Sequence, residues 1–202
     1  MIPLTPAFLI NTASSYAGQG DDAHGTSRGR FVDAVLRMVE LVASTPAQRA
    51  QQAQLAQQAP KRRAYWDTAF VHYAGFWSHY DVRRGNSTWP LPPVADPVAL
   101  YEYAASADAL AAEPEPGDVF IVVTPRKFRP IRSGVVVAVE DRRPHSHYGP
   151  AYECITIEGD TNSCMELGGG QVLRHRRVLT PRIDPIIRWV LLKKQAIIPE
   201  AA

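Results

Sequence analysis

The chain has 202 residues, 46% of them hydrophobic and 21% charged, a composition that suits one folded domain with a real core and excludes a disordered chain. Its 22 basic and 20 acidic residues leave a net charge of +2, too balanced to point to nucleic acid. No apolar run approaches the length of a membrane-spanning helix, so no membrane span is expected.

The first residues, Met1 to Pro6, lack the basic start and apolar core of a secretory signal. The expectation is a cytoplasmic protein, or one exported or assembled by a signal-independent route such as phage lysis, virion assembly or specialised secretion. Thr5-Pro6 reads as the start of a short helix through Phe8, Leu9 and Ala13 to about Ala17, stopped by Gly18. After a polar loop, Thr26 or Ser27 caps a second helix whose apolar stripe is Phe31, Val32, Val35, Leu36, Val39 and Val42. Residues 44–63 read as a helical insertion. Ala47 to Ala59 is almost all alanine and glutamine, with high helix propensity and almost no apolar face, and the basic run Lys61-Arg62-Arg63 follows as a solvated helix end.

The segment Ala64 to Ala74 predicts the central, buried helix, ending near Ser78. Trp66, Ala69, Phe70, Tyr73 and Ala74 share one side at spacings of three and four. Asp67 falls in its first turn, where a bare carboxylate is costly to bury unless the free N–H groups and dipole of the helix end compensate it. Such a residue is either a helix cap or part of a site. From Tyr80 to Pro97 the chain is loop, with Trp89 inside it, and Asp96-Pro97 caps a short helix through Val98, Leu100, Tyr101 and Ala104.

The cluster Glu113 to Asp118 marks a turn and a change of period. Beyond it, Val119–Val123, Val135–Val139, Tyr152–Glu158, Val172–Val178 and Ile186–Leu192 read as about five strands. Helices first and an antiparallel sheet second predict an α+β fold, with residues 1–198 as a single domain and 199–202 as a tail. On the fourth strand, alternation sends Arg174 and Arg176 to one face and His175 and Arg177 to the other, where one face pairs with acids or binds an anion.

Several segments resemble, in order, the CHAP and NlpC-type cell-wall amidases and endopeptidases. Arg28-Gly29-x-x-Val32 is similar to the segment opening that family's second helix, and Pro116-Gly117-Asp118 to the turn before its first core strand. Glu158-Gly159-Asp160-Thr161-Asn162 is similar to its Glu-Gly-Asn-Thr turn, and Gly169-Gly170-x-Val172 to the glycine turn that follows. The resemblance implies a papain-like fold with helices packed on the sheet. Its catalytic groups are missing. The nucleophile of Trp-Cys-x-x-Phe-Val falls at Asp67, and the base of His-Val-Gly-Ile-Val falls at Arg132 in the frame Arg132-Ser133-Gly134-Val135-Val136. Only Glu158 survives as the third member.

A carboxylate and a guanidinium in those seats keep the charges of a thiolate–imidazolium pair without its chemistry. They predict a direct Asp67–Arg132 salt bridge, with Glu158 as a second partner of Arg132. The bland alternatives are Asp67 as an ordinary cap and Arg132 as a surface residue. The implied cleft would be lined by Trp66, Asp67, Arg132, Glu158, Asp160 and Asn162.

No other nucleophile, metal site or cofactor site stands out. The two cysteines, Cys154 and Cys164, match no zinc spacing and read as reduced thiols rather than a bridge. His72 packs or faces solvent, and His145-x-His147 has no third ligand. The expected function is that of an inactive relative of peptidoglycan amidases, retained for binding a stem peptide or a protein partner. The insertion helix and the Tyr80–Pro97 loop, with Trp77 or Trp89 exposed, would form the partner surface. The alternatives are an active hydrolase with a non-standard catalytic group and a structural subunit of a virion or secretion particle.

Overall fold

The computed structural model describes residues 5–20, 30–42, 66–124, 129–146, 148–161 and 170–194. The 44–63 insertion, the Thr26/Ser27 cap, Arg28-Gly29, Asn162, Cys164, His147 and the 199–202 tail lie outside the described residues.

Among the described residues, four helices and an antiparallel sheet make the fold α+β. The helices are α1 (Pro6–Ser15), α2 (Arg30–Val42), α3 (Asp67–Ser78) and α4 (Pro97–Ser106). Asp96 caps α4, its Oδ1 accepting from the N–H of Val98 at 3.0 Å. A two-stranded hairpin, β1 (Tyr80–Asp81) and β2 (Asn86–Ser87), sits inside the segment expected to be all loop.

The main sheet comprises β3 (Leu110–Ala111), β4 (Val119–Thr124), β5 (Arg129–Ser146), β6 (Gly149–Thr161), β7 (Gln171–Leu179) and β8 (Ile186–Ile187), in the spatial order β3-β8-β4-β5-β6-β7. Among the described residues, six strands stand in this sheet where about five were expected. The two-residue β3 carries no periodicity to be read. The last expected strand stops at Ile187 and becomes a 3-10 turn, Trp189–Lys194.

Helix α3 is apolar on nearly every side because it is buried on nearly every side. It packs against α1, α2, β5 and β6. The core on this face of the sheet joins Trp66, Ala69, Phe70 and Ala74 to Leu9, Val35, Val135 and Ile157. Around Trp66 and Phe70 the rings of Tyr16, Phe31 and Tyr73 meet mostly edge to face, at centroid distances of 5.3 to 6.3 Å. The opposite face of the sheet covers a second, smaller core of Phe120, Val136, Tyr152, Cys154, Leu179 and Ile186.

Two close approaches set where α3 lies. A Cβ on Gly159 would stand 2.8 Å from both Phe70 Cβ and Trp66 Cζ3, so β6 can approach the helix only with glycine there. A Cβ on Gly75 would stand 2.1 Å from the Trp89 ring. Trp89 is therefore no partner surface. It is 8% exposed and packed at a tilt against His79 and Trp189, whose Nε1 donates to the carbonyl of Gly117 at 2.7 Å. Gly75→Ala is expected to cost about 1–3 kcal/mol by overpacking, read as a lower urea midpoint with an unchanged slope.

Candidate functional site

The site forms where the N-terminus of α3 meets the start of β5. Trp66 is the helix N-cap and makes no side-chain cap bond, so Asp67 is the first helical residue rather than the cap. Its carboxyl group is 1% exposed, and Oδ2 accepts from the backbone N–H of Ser133 at 2.7 Å. Beside it the Ser133 hydroxyl donates to Thr68 Oγ1 at 3.0 Å. Burial pushes the Asp67 pKa up to about 7. The Ser133 and Thr68 N–H groups and the charge of Arg132 pull against that rise, and the charge of Asp160 adds to it.

Arg132 does not bridge to Asp67. Successive strand residues face opposite sides of a sheet, so with Ser133 turned toward the helix, Arg132 turns into the second core. There Nη1 donates to Glu158 Oε2 at 3.1 Å and to Thr161 Oγ1 at 3.4 Å. The expected second partner is thus the real one, and Arg132 influences Asp67 only through its field.

Glu158 is the hub of a polar network behind the sheet. Arg177 forks onto it, Nε to Oε1 at 2.9 Å and Nη2 to Oε2 at 2.8 Å, while the Thr156 hydroxyl donates to Oε1 at 2.8 Å. Burial alone would raise the Glu158 pKa; the Arg177 bonds and the charges of Arg177 and Arg132 overcome it and hold the group below the usual carboxylate range. His175 reaches the same network through Nε2 and Thr161 Oγ1, 3.1 Å apart. Burial, with the charges of Arg177 and Arg132, holds this imidazole below its ordinary pKa against the pull of Glu158.

Of the expected cleft residues, Trp66, Asp67, Arg132, Glu158 and Asp160 are each 0–2% exposed. They are brought into one region, divided by the sheet, and sealed from solvent. Beside α3 lies a crevice too narrow for water, between Thr68, Val71 and His72 of α3, Leu91, Pro92 and Val94 of the following loop, and Leu100 of α4. His72 lines it, 4% exposed, and neither ring nitrogen completes a hydrogen bond although backbone of Leu91 and Pro92 lies alongside. Burial drops its pKa to about 4 against the pull of that backbone, so the ring is neutral at pH 7.

Cys154 faces the second core. Burial, followed by the charges of Glu140 and Glu153, pushes its thiol up to about 11, the opposite of a reactive cysteine. Among the described residues no group of three His, Cys, Asp or Glu side chains is placed to hold a metal ion, and no helix is long and apolar enough to cross a membrane.

Three residues that matter here were not singled out by motif: Ser133, Thr68 and Arg177. Strand alternation carried the signal for two of them. Arg132 and Ser133 cannot share a face, and Arg177 was placed on the face of His175.

The chain matches no family model, and neither a curated protein nor a solved structure matches it. What fold and site define is an α+β domain in which the end of a buried helix is docked through a carboxyl group onto the backbone of a central strand.

Proposed function

We propose that the chain is a catalytically inactive relative of the CHAP and NlpC-type cell-wall amidases and endopeptidases, its papain-like fold kept for binding or assembly. The observation that carries this reading is the chemistry at position 67. Where those enzymes hold a thiol at the helix end, this chain holds a buried carboxyl group bonded to the Ser133 N–H. Across from it the strand offers a serine hydroxyl engaged with Thr68 instead of an imidazole. A carboxyl group so occupied has no base hydrogen-bonded to it among the described residues and, 1% exposed, no access to substrate.

The partner is a peptidoglycan stem peptide or a protein. Trp77, 42% exposed and packed edge-on against Phe76 and Tyr80, is the aromatic surface that supports the binding role. Purified protein incubated with cell walls is expected to release no new amino groups. Retention on immobilised muropeptides would favour the wall-binding form, and no retention beside a stable complex with another protein would reject it.

One observation favours a second reading, an active hydrolase. A carboxyl group titrating near neutrality is suited to general acid–base work. Amino-group release that disappears in Asp67→Ala would replace the first reading with this one.

A further inference from the structure

Strand β7 is the outer strand of the sheet, and its backbone has a direction that its hydrogen bonds fix. The N–H of Val172 donates outward to the carbonyl of Gln19 at 2.8 Å, and its carbonyl accepts outward from the N–H of Gly18 at 2.8 Å. With residue 172 pointing out, alternation along a strand points the N–H and C=O groups of Arg174, Arg176 and Val178 out as well, while 173, 175 and 177 bond inward to β6. The segment Gly18–Gly20 runs antiparallel to β7 and covers only its first two residues, ending on Gly20 opposite Gln171. Among the described residues no backbone group pairs with the outer edge at 174, 176 or 178.

The side chains of those three residues share the helix-side face of the sheet. Arg176 is 63% exposed and Val178 49% exposed, and Arg174 is exposed beside the end of α1, where it donates to Ser14 Oγ at 3.0 Å. Arg143 and Arg176 pair here with Glu140 and Glu153, and Arg174 bonds to Ser14, so β7 itself presents two guanidinium groups and no carboxylate on this face. A second copy of the chain, laid edge to edge, would set arginine against arginine. An acidic strand would not.

We propose that the outer edge of β7 from Arg174 to Val178 takes up an extended acidic segment of a partner protein as a seventh strand. The segment would carry carboxylates at alternate positions over Arg174 and Arg176 and an apolar residue over Val178. Opposite charges directly across an antiparallel pair attract, and the chain's own Gly18–Gly20 segment already pairs with this edge in the same sense. This goes beyond the inactive-enzyme reading and stands whether or not that reading does.

The test is fluorescence anisotropy with a labelled Thr-Val-Thr-Glu-Thr-Glu-Thr peptide, blocked at both ends, and a counterpart with lysine for glutamate. The acidic peptide is expected to bind, more weakly as salt is raised, and the lysine peptide to bind about tenfold or more weakly. Val178→Pro removes one outward N–H and none of the inward ladder, so it is tolerated at an edge; it is expected to cost about tenfold in affinity while far-UV circular dichroism stays unchanged. Arg176→Ser is a second variant that leaves the backbone alone and should reduce the preference for glutamate over lysine. No binding of the acidic peptide, equal binding of both peptides, or unchanged binding by Val178→Pro overturns the proposal. So does concentration-dependent self-association in sedimentation that Val178→Pro abolishes, since the occupant would then be a second copy.

Discussion

Asp67→Asn is expected to raise the melting temperature at pH 8 and leave it nearly unchanged at pH 4. In the folded protein the Asp67 pKa is raised from 3.8 to about 7. A carboxyl group raised by folding contributes its stability in full below the unfolded value, and that contribution is lost as pH rises through the folded one. Above pH 7 the wild-type chain must bury a carboxylate that asparagine replaces with a neutral group still able to accept from Ser133. The difference is at most about 4 kcal/mol, or on the order of 10 °C for a domain of this size.

His72 works in the opposite sense. Folding lowers its pKa from 6.5 to about 4, so its contribution is present above 6.5 and lost as pH falls toward 4. Between those values the unfolded chain carries a proton on His72 and the folded chain carries one on Asp67. Their slopes cancel, and the wild type hides both. Relative to wild type, Asp67→Asn should gain stability steadily from pH 4 to 7, and His72→Leu should lose it over the same range. Thermal melts of the three proteins across that range read this directly. A lower melting temperature for Asp67→Asn at pH 8 would mean that the charged carboxylate stabilises the fold.

The second large effect is expected at Glu158. Glu158→Gln leaves the Arg132 and Arg177 guanidinium groups, with side chains 3% and 16% exposed, facing a neutral amide. Breaking a buried pair by removing one partner costs about 3–5 kcal/mol because the remaining charge loses its compensation. Against the total stability of a domain, roughly 5–15 kcal/mol, that is a change that urea denaturation at pH 7 resolves easily. The loss should persist in high salt, which screens exposed pairs and reaches buried ones poorly. It should shrink in acid, because a carboxyl group lowered by folding gives its stability above the unfolded pKa and loses it as pH falls. A loss that vanished in salt would place the pair in solvent.

The class of fold was legible because α3 and the apolar runs of β4 and β5 announce themselves by period. So were the Asp96 cap, the turn at Gly117 and the alternation of β7, each set by a few adjacent residues. The site was legible by composition and not by geometry. Motif order put Arg132 opposite Asp67, but a frame shared with a family fixes a position along the chain, and one residue along a strand is the whole width of the sheet. Ser133 took the facing place. Burial of Trp89 was hidden for a related reason. A tryptophan in a Pro- and Gly-rich loop looks exposed until Gly75 is seen to leave room for its ring, and that space comes from a residue on α3.

The account depends on the carboxyl group of Asp67 being sealed against the Ser133 backbone, where no substrate reaches it. Carbon-detected NMR of the aspartate carboxyl groups, titrated together with the Ser133 amide, tests this most directly. The expected result is a single midpoint near about 7 shared by the Asp67 carboxyl carbon and the Ser133 N–H. A carboxyl midpoint below 4, with a Ser133 amide indifferent to it, would mean a solvated carboxylate at an open helix end and would contradict the account.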